Sequence, residues 1–160
     1  MGLDTYVLKV KDTANWNTSE NFENAAYWRK CWGVDSKLAL CGYNDMPDLD
    51  EYVRVLDVDK VRELYQRACA RADKIVSACN RYKAFPYNNV MDIWDLEALD
   101  IDFDTDEMYQ LFHTIEDIAG NTFSNSIWGS ISTVRMTIDQ LGKLLDGIQP
   151  DDILIWVSSF

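Results

Sequence analysis

Polar and apolar residues alternate near the start of the chain, and a compact apolar run lies near its end. Residues 5–10, TYVLKV, are rich in β-forming residues, and residues 152–160, DILIWVSSF, come soon after Pro150. Short segments of this kind, bounded by turn-forming residues, are typical of strands. We therefore predict two strands that pair in one small sheet.

Across the middle of the chain, apolar residues recur every three or four positions, which is the spacing of one helix face. The clearest predicted helix spans residues 60–82, and Pro86 prevents its continuation. A second helix follows Asp104, which can cap it while Glu107 occupies the third helical position of a capping box. Gly120 can end that helix in a left-handed turn.

Three further segments carry weaker patterns. Residues 20–32 and 137–147 are predicted helices, and residues 124–136 fit either a helix or a strand. We predict an α+β fold, mostly helical, with the N- and C-terminal strands paired in the sheet. A length of 160 residues without an internal repeat or a Gly/Ser- or Pro-rich linker fits a single domain over residues 1–160.

Charge is distributed unevenly along the chain, whose net charge is −12 at pH 7. Residues 1–83 contain equal numbers of acids and bases, whereas residues 84–160 contain 14 acids against only Arg135 and Lys143. A body of this charge repels nucleic acid and anionic membranes. We therefore expect no direct binding to either, and a basic protein as the partner.

The cysteines and the lengths of the apolar runs bear on location. The four cysteines form no CxxC pair, and no basic-then-apolar signal segment opens the chain, so we expect reduced thiols in the host cell cytoplasm. Cys69 and Cys79 lie ten residues apart on one predicted helix, about 15 Å, which is too far for a disulfide. Runs such as residues 153–157 are too short to cross a bilayer.

Signatures of catalysis and metal binding are weak. His113 is predicted on the polar side of its helix, without the positioned partner that a general base needs. No nucleophile elbow, dinucleotide fingerprint, P-loop or zinc-ligand spacing occurs. An EF-hand alignment from Asp100 fails, because Thr105 replaces the required Gly and Leu111 replaces the bidentate Glu. We predict no catalytic residue, no cofactor and no metal, and a protein that is not an enzyme.

Residues 92–107, DIWDLEALDIDFDTDE, form an acidic segment with eight carboxylates and no Lys or Arg. Its interleaved apolar residues distinguish it from a disordered tail. In an extended conformation, DIDFD would turn its two hydrophobic side chains inward and its three Asp side chains outward, about 6.6 Å apart. Two interpretations remain open, a solvated acidic face and a recognition surface similar in character to a nucleic-acid backbone. The predicted partner-binding residues are Asp92, Asp95, Glu97, Asp100, Asp102, Asp104, Asp106 and Glu107.

On the long predicted helix, Lys60, Arg67, Lys74 and Arg81 recur every seven positions, with Arg71 beside them, on the face away from the apolar side. We call it the basic face. It can pair with the chain's own acids, or it can mediate self-association into a homodimer. The predicted self-association residues are Lys60, Arg67, Arg71, Lys74 and Arg81.

The chain resembles a group of small phage and prophage proteins of unknown function in three segments, MGLDTYVLKV, AAYWRKCWGV and ILIWVSSF. That group opens with an MGLD-aromatic strand, carries a YWRK helix and ends in an aromatic strand. Cys31 departs from the group, where Asn is expected. The resemblance implies an origin and no mechanism, because the group has no established active residues. A structural and a functional role stay equally open for Tyr27, Trp28, Arg29 and Lys30.

From these patterns we expect a phage-derived acidic accessory protein that binds and inhibits a basic host factor, one that itself binds nucleic acid. An anti-CRISPR or other anti-defence protein that mimics nucleic acid is the sharpest form of this hypothesis. Two alternatives remain open. One is a structural or assembly protein that self-associates through the basic face and the acidic segment, and the other is an enzyme with an unrecognised site.

Overall fold

A computed structural model of the chain describes residues 2–43, 51–81, 88–92, 106–119 and 127–160. These ranges contain four strands, four α-helices and one 3-10 turn. In chain order they are β1 (Asp4–Val10), β2 (Phe22–Arg29), α1 (Trp32–Leu40), β3 (Val53–Val55), α2 (Val58–Arg81), the turn at Val90–Asp92, α3 (Asp106–Ala119), α4 (Ile127–Gly147) and β4 (Ile153–Ser159). The predicted class is confirmed, because the fold is a mostly helical α+β fold with its N- and C-terminal strands paired.

The four strands form one antiparallel sheet in the order β2-β1-β4-β3. The two predicted strands, β1 and β4, are its central pair, and Thr5 lies opposite Ser158 in their register. On the other side of β1, Thr5 lies opposite Trp28 of β2. A β-bulge interrupts this second ladder between Val7 and Leu8.

The helix predicted over residues 20–32 is wrong, because residues 22–29 form the edge strand β2. Its last residues alternate in exposure: Ala26 and Trp28 are buried, whereas Tyr27 and Arg29 are exposed. This alternation is the side-chain period of a strand, and pairing with β1 satisfies the backbone of β2. Only the end of the predicted segment is helical, since α1 begins at Trp32.

Both faces of the sheet bury apolar side chains. Leu8, Val10, Val53 and Ile155 form one hydrophobic cluster. The side chains that alternate with them include Val7, Trp28, Leu154 and Trp156, all almost completely buried. Full burial of one large apolar side chain contributes about 1.5–3 kcal/mol, so this double burial is the main stabilising term of the sheet.

The long predicted helix is confirmed as α2, and its apolar stripe is buried as expected. The fully or nearly fully buried members are Val61, Leu64, Ala68, Ala72, Ile75 and Cys79. The helix begins at Val58, two residues before the predicted start, because Asp57 caps it. The Oδ1 atom of Asp57 accepts the backbone N–H groups of Asp59 at 2.9 Å and Lys60 at 3.3 Å.

The other helix predictions have different outcomes. The helix predicted at residues 137–147 is confirmed within α4, and residues 127–136 of the ambiguous segment are helical too. The helix after Asp104 is confirmed as α3. Asp104 itself, as the predicted cap, and the predicted extended DIDFD segment lie outside the described residues.

The chain divides into two compact units. The first unit comprises residues 1–66 and 139–160 and contains the sheet and α1; the second comprises residues 67–138. The core of the second unit contains Ala72, Ile75, Ala78, Cys79, Val90, Leu111, Ile115, Ile131 and Val134. The single domain over residues 1–160 stays a prediction. Among the described helices, none is long and apolar enough to cross a membrane.

Candidate interaction surfaces

The acidic segment is only partly described by the structure. Asp92 ends the 3-10 turn, and Asp106 and Glu107 are the first two residues of α3. Asp106 is exposed. A carboxylate in the first turn of a helix interacts favourably with the helix dipole, which gives Asp106 a local reason for its position. The remaining predicted partner-binding residues, Asp95, Glu97, Asp100, Asp102 and Asp104, lie outside the described residues.

The basic face lies on α2, opposite the buried stripe of that helix. Lys60, Arg67, Lys74 and Arg81 are exposed, and Arg71 is half-buried. A spacing of seven residues therefore places four cations on one exposed face of α2, as the periodicity of an α-helix predicts. Whether they mediate self-association stays a prediction.

An open groove of about 410 Å³ in the second unit includes two residues of this basic face. Lys74 and Arg81 line it together with Asp73, Ser77, Ala78 and Thr114. The Thr114 hydroxyl donates to the Gln110 carbonyl at 2.7 Å, so its oxygen can still accept a hydrogen bond. With two cations, one anion and two hydroxyls, the groove suits an anionic group.

Exposed aromatic side chains gather at one end of α1 in the first unit. The Phe160 ring lies 5.8 Å from the Trp32 ring and 5.0 Å from the Tyr52 ring, measured between centroids. All three residues are at least 40% exposed. Aromatic side chains that pack on one another and remain open to solvent are common at protein-binding surfaces. The sequence did not reveal this cluster, because its members come from three separate segments.

The sequence pattern also did not predict that Asp35 of α1 would be a buried carboxylate. Asp35 is only 8% exposed. Its Oδ1 atom accepts the Thr5 hydroxyl at 2.8 Å and the Trp156 indole N–H at 3.0 Å. Burying a carboxylate is costly unless hydrogen bonds compensate for lost hydration. These two bonds tie α1 to the two central strands, so the role of Asp35 is to position the helix on the sheet.

Arg54 of β3 strengthens the same contact between α1 and the sheet. Its Nη1 atom donates to the Ala39 carbonyl at 3.0 Å, and its guanidinium lies 5.7 Å from the centre of the Trp156 ring. Gly42 passes so close that an added Cβ would lie 2.7 Å from the Cβ of Arg54. Glycine is therefore required at this position.

The three segments that carry the phage resemblance contribute to neighbouring strands, β2, β1 and β4, and AAYWRKCWGV continues into the start of α1. Trp28 is completely buried. The Tyr27 hydroxyl donates to Asp4 at 2.7 Å, and this hydrogen bond raises the pKa of Tyr27. Lys30 has a φ of 55°, in the left-handed region, where the chain turns from β2 into α1. For Tyr27 and Trp28 these contacts support the structural role.

The thiols and the histidine occupy structural or surface positions. All four cysteines lie in the described ranges and none forms a disulfide; three are buried and Cys69 is half-buried. Burial raises the pKa of Cys79 to about 11, which keeps this core thiol protonated at neutral pH. His113 is exposed, as predicted. Within the described ranges, no three His, Cys, Asp or Glu residues are grouped as metal ligands would be.

No protein-family model, curated protein or solved structure matches this chain. The resemblance to phage proteins therefore stays a prediction.

Proposed function

We propose that this chain is a phage-derived accessory protein that binds a basic host factor and inhibits it without catalysis. The observation that carries the proposal is the charge distribution. Between Lys83 and Arg135 there are ten acids and no Lys or Arg. An anti-defence protein, such as an anti-CRISPR protein that occupies a nucleic-acid groove, is the form that fits this charge best.

Holding like charges close together in a folded chain costs free energy. Mutual repulsion between neighbouring carboxylates lowers the stability of the folded chain unless cations compensate for it. The acidic segment has no base within its own sequence, so a basic partner would supply the missing counter-charge. A nucleic-acid-binding groove is lined by Lys and Arg that normally neutralise phosphates, and it offers that counter-charge in a row.

The C-terminal end of the acidic segment lies within the described residues and supports this proposal. Asp106 is exposed at the start of α3, where the helix dipole favours negative charge and offsets part of the repulsion. The start of α3 therefore favours an acid at this exposed position. Asp106 would be left accessible to a basic partner.

The first experiment compares two variants with equal charge changes. In the test variant, Asp100, Asp102 and Asp104 are replaced by Asn. In the control variant, three exposed acids elsewhere are replaced, Glu20→Gln, Glu51→Gln and Asp146→Asn. Both variants lose three negative charges, so a difference between them reports position rather than net charge.

Host proteins captured by the wild-type chain at low salt are identified, and the kinetics of each variant with the captured protein are measured at two salt concentrations. The test variant should bind about tenfold more weakly, which corresponds to about 1.4 kcal/mol, mainly through slower association. The control should change much less, and both effects should shrink at high salt. Inhibition is scored as loss of nucleic-acid binding by the partner. Equal binding by wild type and test variant would remove the acidic segment from the proposal.

The exposed basic face favours a second candidate, self-association. Reversing Lys60, Arg67 and Lys74 to Glu should weaken a homodimer at low salt while α2 stays formed, because these residues face away from its buried stripe. A matched control reverses the exposed bases Lys30, Arg62 and Lys143, which lie outside the basic face. Sedimentation that is identical for all three proteins would exclude assembly through this face.

A further inference from the structure

Gln140 of α4 is bonded to the backbone of the edge strand β2 in the first unit. Its Oε1 atom accepts the Tyr27 backbone N–H at 2.5 Å, and its Nε2 atom donates to the Tyr27 carbonyl. A primary amide carries one acceptor and a donor group, so one side chain here reproduces the hydrogen bonding of a peptide group on a partner strand. At Tyr27, the Gln140 side chain thus takes the hydrogen bonds that a neighbouring strand would otherwise make with the edge of β2.

A second backbone group on the outer edge of β2, the Arg29 carbonyl, also has a hydrogen-bond partner within the chain. Arg29 lies two residues beyond Tyr27, so its peptide groups face the same way along the strand. The Arg29 carbonyl accepts the Cys31 thiol at 3.3 Å. The β-bulge in the β1–β2 ladder also distorts this edge, and bulges are a common protection against unwanted pairing.

The opposite edge of the sheet is protected differently. There β3 has only three residues, and its Val55 carbonyl accepts the Tyr43 backbone N–H at 2.9 Å. Very short edge strands offer little template for pairing. Among the described strands, the eight-residue β2 is therefore the edge where another strand could add, and Gln140 is bonded to its sixth residue, Tyr27.

We propose that Gln140 keeps the edge of β2 closed to a second copy of this chain, and that its release allows two copies to pair through antiparallel β2 strands. A second copy fits as the occupant because a two-fold axis at one edge joins identical strands without any other partner. The charge of β2 permits this pairing. Glu23 and Arg29 are its only charged residues, so the strand is neutral although the chain carries −12. This inference is independent of the acidic segment.

The test uses Gln140→Ala, which removes both bonds, and Gln140→Glu, which keeps the size but places an acceptor against the Tyr27 carbonyl. Gln66→Ala, at an exposed position of α2, is the matched control. Sedimentation velocity across a concentration series should show both Gln140 variants associating at concentrations at least tenfold lower than wild type. The control should behave as wild type. Folded Gln140 variants that sediment like wild type would overturn the proposal.

A second substitution checks that association uses β2. Adding Tyr27→Pro to Gln140→Ala removes the outward N–H, which an edge strand tolerates but a new ladder needs. The double variant should return to the association behaviour of wild type, and continued association would show that another surface is responsible. If the Gln140 variants do not fold, amide hydrogen exchange of the wild-type chain tests whether the edge of β2 is closed at Tyr27. The Tyr27 amide should exchange slowly, and rapid exchange would show that the edge is open.

Discussion

Asp35 and the acidic segment of residues 92–107 show two opposite ways in which this chain uses carboxylates. Asp35 is buried on α1 and accepts hydrogen bonds from Thr5 and Trp156, each on a different strand. The acidic segment carries eight carboxylates with no base among them, and Asp106, near its end, is exposed. Asp35 joins elements of the fold, whereas Asp106 adds charge to a surface.

The hydrogen-bond partners of a carboxylate therefore indicate its role better than its charge does. Asp57 is intermediate, since it caps α2 through two backbone N–H groups while remaining near solvent. Substituting an acid that has donors in the fold should therefore affect stability. Substituting an acid whose counter-charge lies on a partner should affect binding instead.

The largest predicted effect belongs to Asp35. Asp35→Ala leaves the Thr5 hydroxyl and the Trp156 N–H buried without their acceptor, and each orphaned group costs about 1–3 kcal/mol. We expect the free energy of unfolding to fall by about 3 kcal/mol in urea denaturation. Asp35→Asn keeps an oxygen acceptor and should lose less.

The control for this prediction is Asp117→Ala, at an exposed position of α3. Its effect should stay within about 0.5 kcal/mol, as is usual for surface positions. A similarly small effect for Asp35→Ala would mean that the carboxylate does not hold α1 on the sheet.

The contrast between β1 and β2 shows how far the sequence alone could predict this fold. The alternation of β1 and the stripe of α2 depend on the period of one element, so each could be predicted locally. The strand β2 contains Ala25, Ala26 and several aromatics, which fit a helix as well as a strand. Its pairing with β1 decides the outcome, and that pairing is a tertiary contact which local propensity does not contain.

The candidate sites follow the same rule. The basic face could be predicted because its members share one helix and one period. The Asp35 contacts join residues 30 and 121 positions apart, so no local pattern contains them. The aromatic cluster of Trp32, Tyr52 and Phe160 likewise forms only when α1, β3 and β4 come together.

A smaller effect is predicted for Asp57. Asp57→Ala removes the acceptor of two backbone N–H groups at the start of α2, whereas Asn caps about as well as Asp. Asp57→Ala should lower the Tm at pH 7 by about 3 °C, and Asp57→Asn should leave it nearly unchanged. Thermal unfolding followed by circular dichroism measures both, and an equal loss in the two variants would assign the effect to charge rather than capping.

The acid dependence of stability should follow from Asp57 and Asp152. The backbone N–H of Lys60 is the main cause that lowers the pKa of Asp57, and the hydrogen bond from Lys11 lowers that of Asp152. Because both pKa values lie below the ordinary value of 3.8, the stability they contribute is present above that pH and is lost as the pH falls through the lower values. Replacing both by Asn removes these titrations, so stability should fall less steeply between pH 4 and 2. If stability falls equally steeply with pH in the double variant, Asp57 and Asp152 are not the source of the acid dependence.

The smallest effect on stability is predicted for the acidic segment. Replacing Asp100, Asp102 and Asp104 by Asn keeps side-chain size and removes mutual repulsion, so the free energy of unfolding should stay within about 0.5 kcal/mol of wild type or rise slightly. Asp104 should be no exception as a cap, because Asn replaces Asp there at little cost. Any gain should be larger at low salt, where repulsion is screened less. Urea denaturation at two salt concentrations, with the Glu20, Glu51 and Asp146 control beside it, makes the measurement. A loss above about 1 kcal/mol would show that these acids have donors within the fold, as Asp35 does, and the contrast between the two kinds of carboxylate would fail.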